Sequence, residues 1–274
     1  MTSWALITGG SVRLGRETGL AFARAGWSVA CHYNRSADAA QALCEELRAM
    51  GVQALAVAGE LEDEASCQHI FDTTVATTGT HLRCIVNNAS LFVPDQGDDF
   101  NEAQALAQLK VNLMAPMRFG KWLAALHAKN PNALAHAGSD AGSGLAAPSV
   151  VHVLDQKVFN LNPDYFSYTV SKLALERSVA LQAQGLAPWV RVNAIAPGLT
   201  FVSGAQSIDN FERAQSVNLL RSPIDAGDVA RSAVFLAENH SITGTTLCVD
   251  KGQHLVPLER DVMFVVDQLI RSQT

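Results

Sequence analysis

Short β-rich runs alternate with amphipathic stretches of helical length along almost the whole chain, and this alternation leaves few folds open. Strands are expected at residues 3–8, 27–32, 52–58, 82–87, 150–154, 189–195 and 246–250. Helices are expected at 16–25, 37–50, 62–78, 102–128, 164–184 and 225–238, with a kink near Pro116 in the long 102–128 stretch. Ala40, Leu43, Leu47 and Met50 illustrate the pattern: three or four residues apart, they share one helix face, and Gly51 follows as a stop. Strands separated by helices pair in parallel through right-handed crossovers. The expected architecture is therefore a doubly wound α/β sheet, mostly parallel and seven-stranded, with helices on both faces. No repeat and no linker divides residues 1–274, so one domain is expected. Such sheets take ligands beyond the carboxyl ends of their strands, where the strand order reverses.

Composition supports a sizeable core. Of 274 residues, 48% are hydrophobic and 17% charged, which disfavours disorder. The net charge of −6 argues against a nucleic-acid surface. Five scattered cysteines (Cys31, Cys44, Cys67, Cys84, Cys248) show no metal-ligand spacing and read as free thiols of a reducing compartment, with no metal site. No apolar run is long enough to span a bilayer, and the first apolar stretch lacks a charged lead-in. A cytoplasmic protein with a small-molecule ligand and no membrane partner is expected.

The first strand runs into Thr8-Gly9-Gly10-Ser11-Val12-Arg13-Leu14-Gly15 before a helix starts. Glycines let the backbone turn sharply and approach a pyrophosphate, while the helix start offers free N–H groups and a positive dipole end. Position between the first strand and first helix makes the turn far more specific than glycines alone. Arg13 stands where many such turns have a second glycine, within reach of cofactor phosphates or a substrate carbonyl. An acid commonly ends the second strand of NAD sites, but here His32-Tyr33-Asn34-Arg35-Ser36 holds no carboxylate. Arg35 and Ser36 suit a 2′-phosphate instead, so NADP(H) is the expected cofactor.

Tyr168 and Lys172 lie four apart and share a helix face. An ammonium near a phenol favours the phenolate, so Lys172 is expected to lower the Tyr168 pKa into a range useful for proton transfer. Asp155 ends the fifth strand, at the edge where sites form.

With these residues in view, the chain resembles the short-chain dehydrogenases/reductases along nearly its whole length. The resemblance rests on Thr8–Gly15, Asn87-Asn88-Ala89, Asn112, Tyr168-x-x-x-Lys172 and Pro197-Gly198. It implies a Rossmann-type fold and a catalytic set of Asn112, Tyr168 and Lys172. The family's serine is replaced by Asp155. That replacement, Arg13, the stretch from His32 to Ser36, and Ser90-Leu91-Phe92 make the chain similar to pteridine reductases and dihydromonapterin/dihydrofolate reductases. The loop-like 130–148 stretch is a further likeness.

This resemblance implies a pterin stacked between Phe92 and a nicotinamide, with Ser90 and Arg13 bonding cofactor phosphates and the pterin edge. Tyr168, helped by Asp155, would protonate a ring nitrogen while NADPH supplies hydride. Lys172 would also bind the nicotinamide ribose. Asn112 would hold the local helix and a relay water. Gly9, Arg13, Leu14, Gly15, His32, Tyr33, Asn34, Arg35, Ser36, Glu60, Leu61, Asn88, Ala89, Ser90, Pro197 and Gly198 would contact the cofactor. Glu60 stands where the family's adenine loop has Asp, and Lys251 where glycine is usual. A mobile substrate lid would follow Pro197-Gly198, at residues 200–218. His254 would either pack locally or line a neighbouring subunit's pocket, because relatives are commonly homotetramers. Two other readings stay open: a reductase of a small ketone or other carbonyl, and a non-catalytic nucleotide-binding redox sensor.

Overall fold

The computed structural model describes residues 2–129, 147–204 and 206–266. Within them lies one seven-stranded sheet, in the order β3-β2-β1-β4-β5-β6-β7, with every neighbouring pair parallel. The strands are β1 Trp4–Ile7, β2 Ser28–Tyr33, β3 Ala54–Ala58, β4 Leu82–Asn87, β5 Ser149–Val153, β6 Arg191–Pro197 and β7 Thr246–Val249. The order reverses between β1 and β4, which opens a crevice above their carboxyl ends.

Both sheet faces are covered, and the strand sequences show why. In β1, Ala5 and Ile7 face one apolar layer while Trp4 and Leu6 face the other. A strand buried on both sides has no use for a polar alternation, so its sequence reads as a continuous apolar run. One layer consists of α1 Arg13–Arg24, α2 Ala37–Ala49 and a helix at Ala226–Glu238 that we number α8. Leu20, Phe22, Leu43, Leu47, Val229 and Ala233 fill it. The opposite layer holds α3 Glu64–Thr78, α5 Ala115–Ala128 and α6 Phe166–Leu186, with Ile70, Phe71, Phe119, Leu123 and Ala183 at its centre.

The kink expected near Pro116 takes a different form. Helix α4 Glu102–Leu109 passes into a π-helical turn, Lys110–Met114, before α5 begins at Ala115. Pro116 has no N–H, so the carbonyl of Asn112 cannot make its ordinary bond four residues on, and the ladder widens there. Helix α6 starts two residues later than expected, at Phe166, because Tyr165 adopts a left-handed conformation (φ +55°) and cannot be helical. A short helix, α7 Ile208–Ala214, follows the crevice loop. Most of the 130–148 stretch and the tail beyond residue 266 lie outside the described residues.

Candidate active site

A cavity of about 440 Å³ lies beyond the carboxyl ends of β1, β4, β5 and β6. It brings together the phosphate turn (Gly9, Arg13, Leu14, Gly15), the segment after β4 (Asn88, Ala89, Ser90, Phe92) and Asp155 after β5. Tyr168 and Lys172 of α6 and Pro197-Gly198 after β6 complete the set. Lys157, Asp261 and Met263 also line it, although no motif pointed to them.

The Tyr168 hydroxyl donates to Asp155 Oδ2 at 2.9 Å. Asp155 Oδ1 accepts the backbone N–H of Lys157 at 2.9 Å, so its two oxygens are divided between backbone and phenol. Lys172 Nζ donates to the Val153 carbonyl at 2.7 Å and stands 5.7 Å from the centre of the Tyr168 ring. Tyr168 (6% exposed) and Lys172 (2%) are buried, and Asp155 is half-buried. Burial changes the expected electrostatics. Lys172 does not bring the phenol down. Burial and the neighbouring Asp155 charge raise Tyr168 well above the ordinary phenol range, so it stays protonated at neutral pH. Burial also raises Asp155, and it lowers Lys172 to about 8.

Asn112 sits in the π-helical turn with its side chain saturated. Its Oδ1 accepts from the Leu91 N–H at 2.8 Å and the Ser90 hydroxyl at 3.1 Å. Its Nδ2 donates to the Leu91 carbonyl and to Ser171 Oγ, both at 2.9 Å. This amide locks the segment after β4 onto α6, and it has no side-chain group left over for the relay water. Ser90 is exposed at the cavity while its hydroxyl donates to Asn112. Phe92 and Tyr168 pack T-shaped (centroids 4.7 Å, 89°), and one face of Phe92 stacks on Tyr165 (4.0 Å, 19°). Sequence reasoning missed Tyr165. Its signal was an aromatic three residues before Tyr168, on the same side of the helix start.

The phosphate turn is closely built. Gly9 has φ +60°, and a Cβ on Gly15 would come within 2.0 Å of the Gly9 carbonyl and 2.9 Å of Gly10 Cα. Only glycine lets helix and turn approach this closely. Thr8 Oγ1 accepts the N–H groups of Asn88 and Ala89, and Asn88 Nδ2 donates to the carbonyls of Thr8 and Gly9. Arg13 turns toward the expected lid: it donates to the Val202 carbonyl and lies 5.6 Å from the Phe201 ring centre.

Tyr33 is half-buried; Asn34, Arg35 and Ser36 are exposed just past β2, and Glu60 is exposed past β3. His32 and Leu61 are different. Their side chains are 2% and 7% exposed, so direct cofactor contact by either side chain gives way to a place in the core. His254 bonds Asp250 Oδ2 through Nδ1 at 2.7 Å and caps its own turn. Four cysteines are buried free thiols, and Cys248 is half-buried. Among the described residues no cluster of three His, Cys, Asp or Glu suits a metal, and no helix is long and apolar enough to cross a membrane.

A family model described as enoyl-(acyl carrier protein) reductase, of the short-chain dehydrogenase/reductase type, matches residues 13–254. The chain belongs to the short-chain dehydrogenase/reductase family. It is an oxidoreductase. Over 93% of its length it is 27% identical to a 3-oxoacyl-[acyl-carrier-protein] reductase of Staphylococcus aureus, covering 99% of that protein. Over 91% it is 26% identical to the dihydromonapterin reductase of Shigella flexneri, covering 96%. Its fold matches the FolM alternative dihydrofolate reductase 1 of Brucella suis, solved in complex with NADP. The TM-score is 0.82 and the identity 34%, over 92% of this chain and 95% of that one.

The residues of this oxidoreductase fit a dinucleotide. The Gly9–Gly15 approach leaves the first amides of α1 at the cavity, where Arg13, Leu14 and Gly15 line it. The exposed end of β2 carries Arg35 and Ser36 and no carboxylate, which suits a 2′-phosphate.

Proposed function

We propose that this oxidoreductase uses NADPH to reduce a dihydropterin or dihydrofolate. The observation that carries the reading is the 2.9 Å bond from Tyr168 to Asp155, a carboxylate where the family commonly has serine. A serine hydroxyl suits a ketone oxygen. A ring carbon–nitrogen double bond likewise needs a proton, delivered to nitrogen as the neighbouring carbon is reduced, and a phenol held by a carboxylate rather than by serine is placed to give it. Bound NADPH supplies the hydride. Tyr168 holds the proton at Oη and passes it to the ring nitrogen. Asp155 keeps the phenol aimed by accepting its hydroxyl, and a proton from solvent restores Tyr168 after the transfer. Lys172 binds the nicotinamide ribose and keeps positive charge beside the pair. Phe92, backed by Tyr165, offers a flat apolar wall for a planar heterocycle.

The named Shigella and Brucella reductases support this substrate class. The catalytic set proposed is Asn112, Asp155, Tyr168 and Lys172, with Asn112 as a clamp. The reading includes one domain and a homotetramer. Apolar side chains stand exposed on α4, α6 and α8 (Leu106 48%, Leu181 67%, Phe235 50%), and light scattering reads the mass. The deciding experiment follows NADPH oxidation with dihydromonapterin, dihydrobiopterin, dihydrofolate, acetoacetyl thioesters and small ketones in parallel. Turnover on the pterins is expected. Turnover on the carbonyl compounds alone would replace this reading by a carbonyl reductase, and NADPH binding without turnover by a sensor.

A further inference from the structure

We infer that His32 is a positioning residue: a strut that holds the pyrophosphate turn and the loop after β3 at a fixed separation, so that a dinucleotide meets both already in place. The inference rests on the dinucleotide reading above and concerns a side chain that does not reach the ligand.

His32 is the next-to-last residue of β2, the strand between β1 and β3. Its neighbour Cys31 faces the α1 layer and Ala30 the opposite one. Strand alternation therefore turns the imidazole to the Ala30 side. There Gly9 N–H donates to Nδ1 at 3.1 Å, and Nε2 lies 3.1 Å from the Gly59 carbonyl. The backbone completes the tie. Gly10 N–H donates to the His32 carbonyl at 2.9 Å, and Gly59 N–H to the Tyr33 carbonyl at 3.0 Å.

These partners leave one proton arrangement. An amide hydrogen points at Nδ1, so Nδ1 carries the lone pair and the ring proton is on Nε2, donating to Gly59. The ring is neutral, and burial that lowers its pKa to about 4 keeps it so. A rigid ring with an acceptor on one edge and a donor on the other spans two loops that touch different parts of a dinucleotide. Gly9 needs such a hold. Its φ of +60° is open only to glycine at low cost, and glycine has the most conformational freedom to lose. With the Gly9 and Gly10 amides held by residue 32, the amides that start α1 remain for phosphate.

The test uses the full chain with His32→Leu, His32→Asn and His32→Gln. Asn can keep an acceptor for Gly9, and Gln a donor for Gly59. NADPH affinity is read by fluorescence titration, KM and kcat by steady-state kinetics, and folding by the thermal midpoint without cofactor. For His32→Leu, Kd and KM for NADPH rise roughly tenfold, the size expected for one well-placed hydrogen bond. Its kcat at saturating NADPH stays within about twofold of wild type, because the proposed reacting groups sit on α6 and just after β5, away from residue 32. Asn restores most of the affinity and Gln less. If His32→Leu does not fold, the Asn and Gln variants decide alone. Unchanged NADPH affinity in the folded variants, or a fall in kcat with Kd unaltered, would overturn the strut. Wild-type protein that fails to bind NADPH would instead overturn the dinucleotide reading itself.

Discussion

Tyr168 is held as a phenol by burial and by a carboxylate, while the lysine one turn along is anchored to the Val153 carbonyl. Each group therefore has its own measurable signature. Tyr168→Phe removes the proposed proton donor and leaves the ring packing, so kcat should fall about 10²–10⁴-fold. A folded Tyr168→Phe enzyme with near-normal turnover would remove Tyr168 from the chemistry. Asp155→Ser should lower pterin turnover at least about tenfold, the scale of one lost hydrogen bond to a charged group. The pH profile follows from Lys172. Burial lowers it to about 8, so activity should decline above about pH 8 as the ammonium loses its proton. Lys172→Met should lose this high-pH limb along with most activity. The Tyr168–Lys172 spacing was legible in the sequence. The direction of the Tyr168 shift was not, because it depends on burial and on a residue thirteen positions away.

Among elements, the strand–turn–helix unit of β1 and α1 was the most legible, since its glycines mark a geometry that other residues cannot adopt. Gly15→Ala tests it. The added methyl would sit 2.0 Å from one backbone oxygen and 2.9 Å from another backbone atom, and backbone cannot rotate aside as a side chain can. A stability loss of at least about 3 kcal/mol in chemical denaturation is expected, together with lost NADPH binding. A stable, NADPH-binding Gly15→Ala protein would mean that the turn and helix are not packed this closely. The π-helical turn was only half legible. Pro116 signals a disturbed helix, but it does not say that the disturbance turns the Asn112 amide toward Leu91 and Ser171. That outcome depends on α6 packing alongside.

Across the whole molecule, neutral histidines deep in the sheet layers set a pH dependence of stability. Burial lowers His32 to about 4 and His152 to about 3, against an ordinary 6.5, and it lowers His127 as well. Between those values and 6.5 the unfolded chain takes up protons that the folded chain refuses. The histidines' contribution is thus complete above pH 6.5 and shrinks as pH falls, by about 1.4 kcal/mol per pH unit for each fully responding group. Asp155, raised by burial, works in the opposite direction, but one group does not cancel several. The thermal midpoint should drop steadily from pH 6.5 to 4.5, and less steeply in His152→Asn. A flat midpoint over that range would mean that these rings are not buried. The far end of the chain also closes the site. Arg260 grips Asp164 through Nε at 2.9 Å and Nη2 at 2.6 Å, and Asp261 pairs with buried Lys157 at 3.3 Å. No local pattern announced that wall, because its partners lie about a hundred residues apart.

By itself, the sequence determined the alternation of strand and helix, the seven parallel strands, the glycine turn and the side chains proposed to react. Each of these is a local property, readable from periodicity, from the steric freedom of glycine or from spacing along one helix. The tertiary structure alone decided which charge governs Tyr168, which face of Phe92 is covered, why Asn112 has no free amide hydrogen, and that His32 and Leu61 point inward. Those are consequences of burial and of contacts between distant segments. They exist only once the layers have packed and water has been excluded from the groups between them.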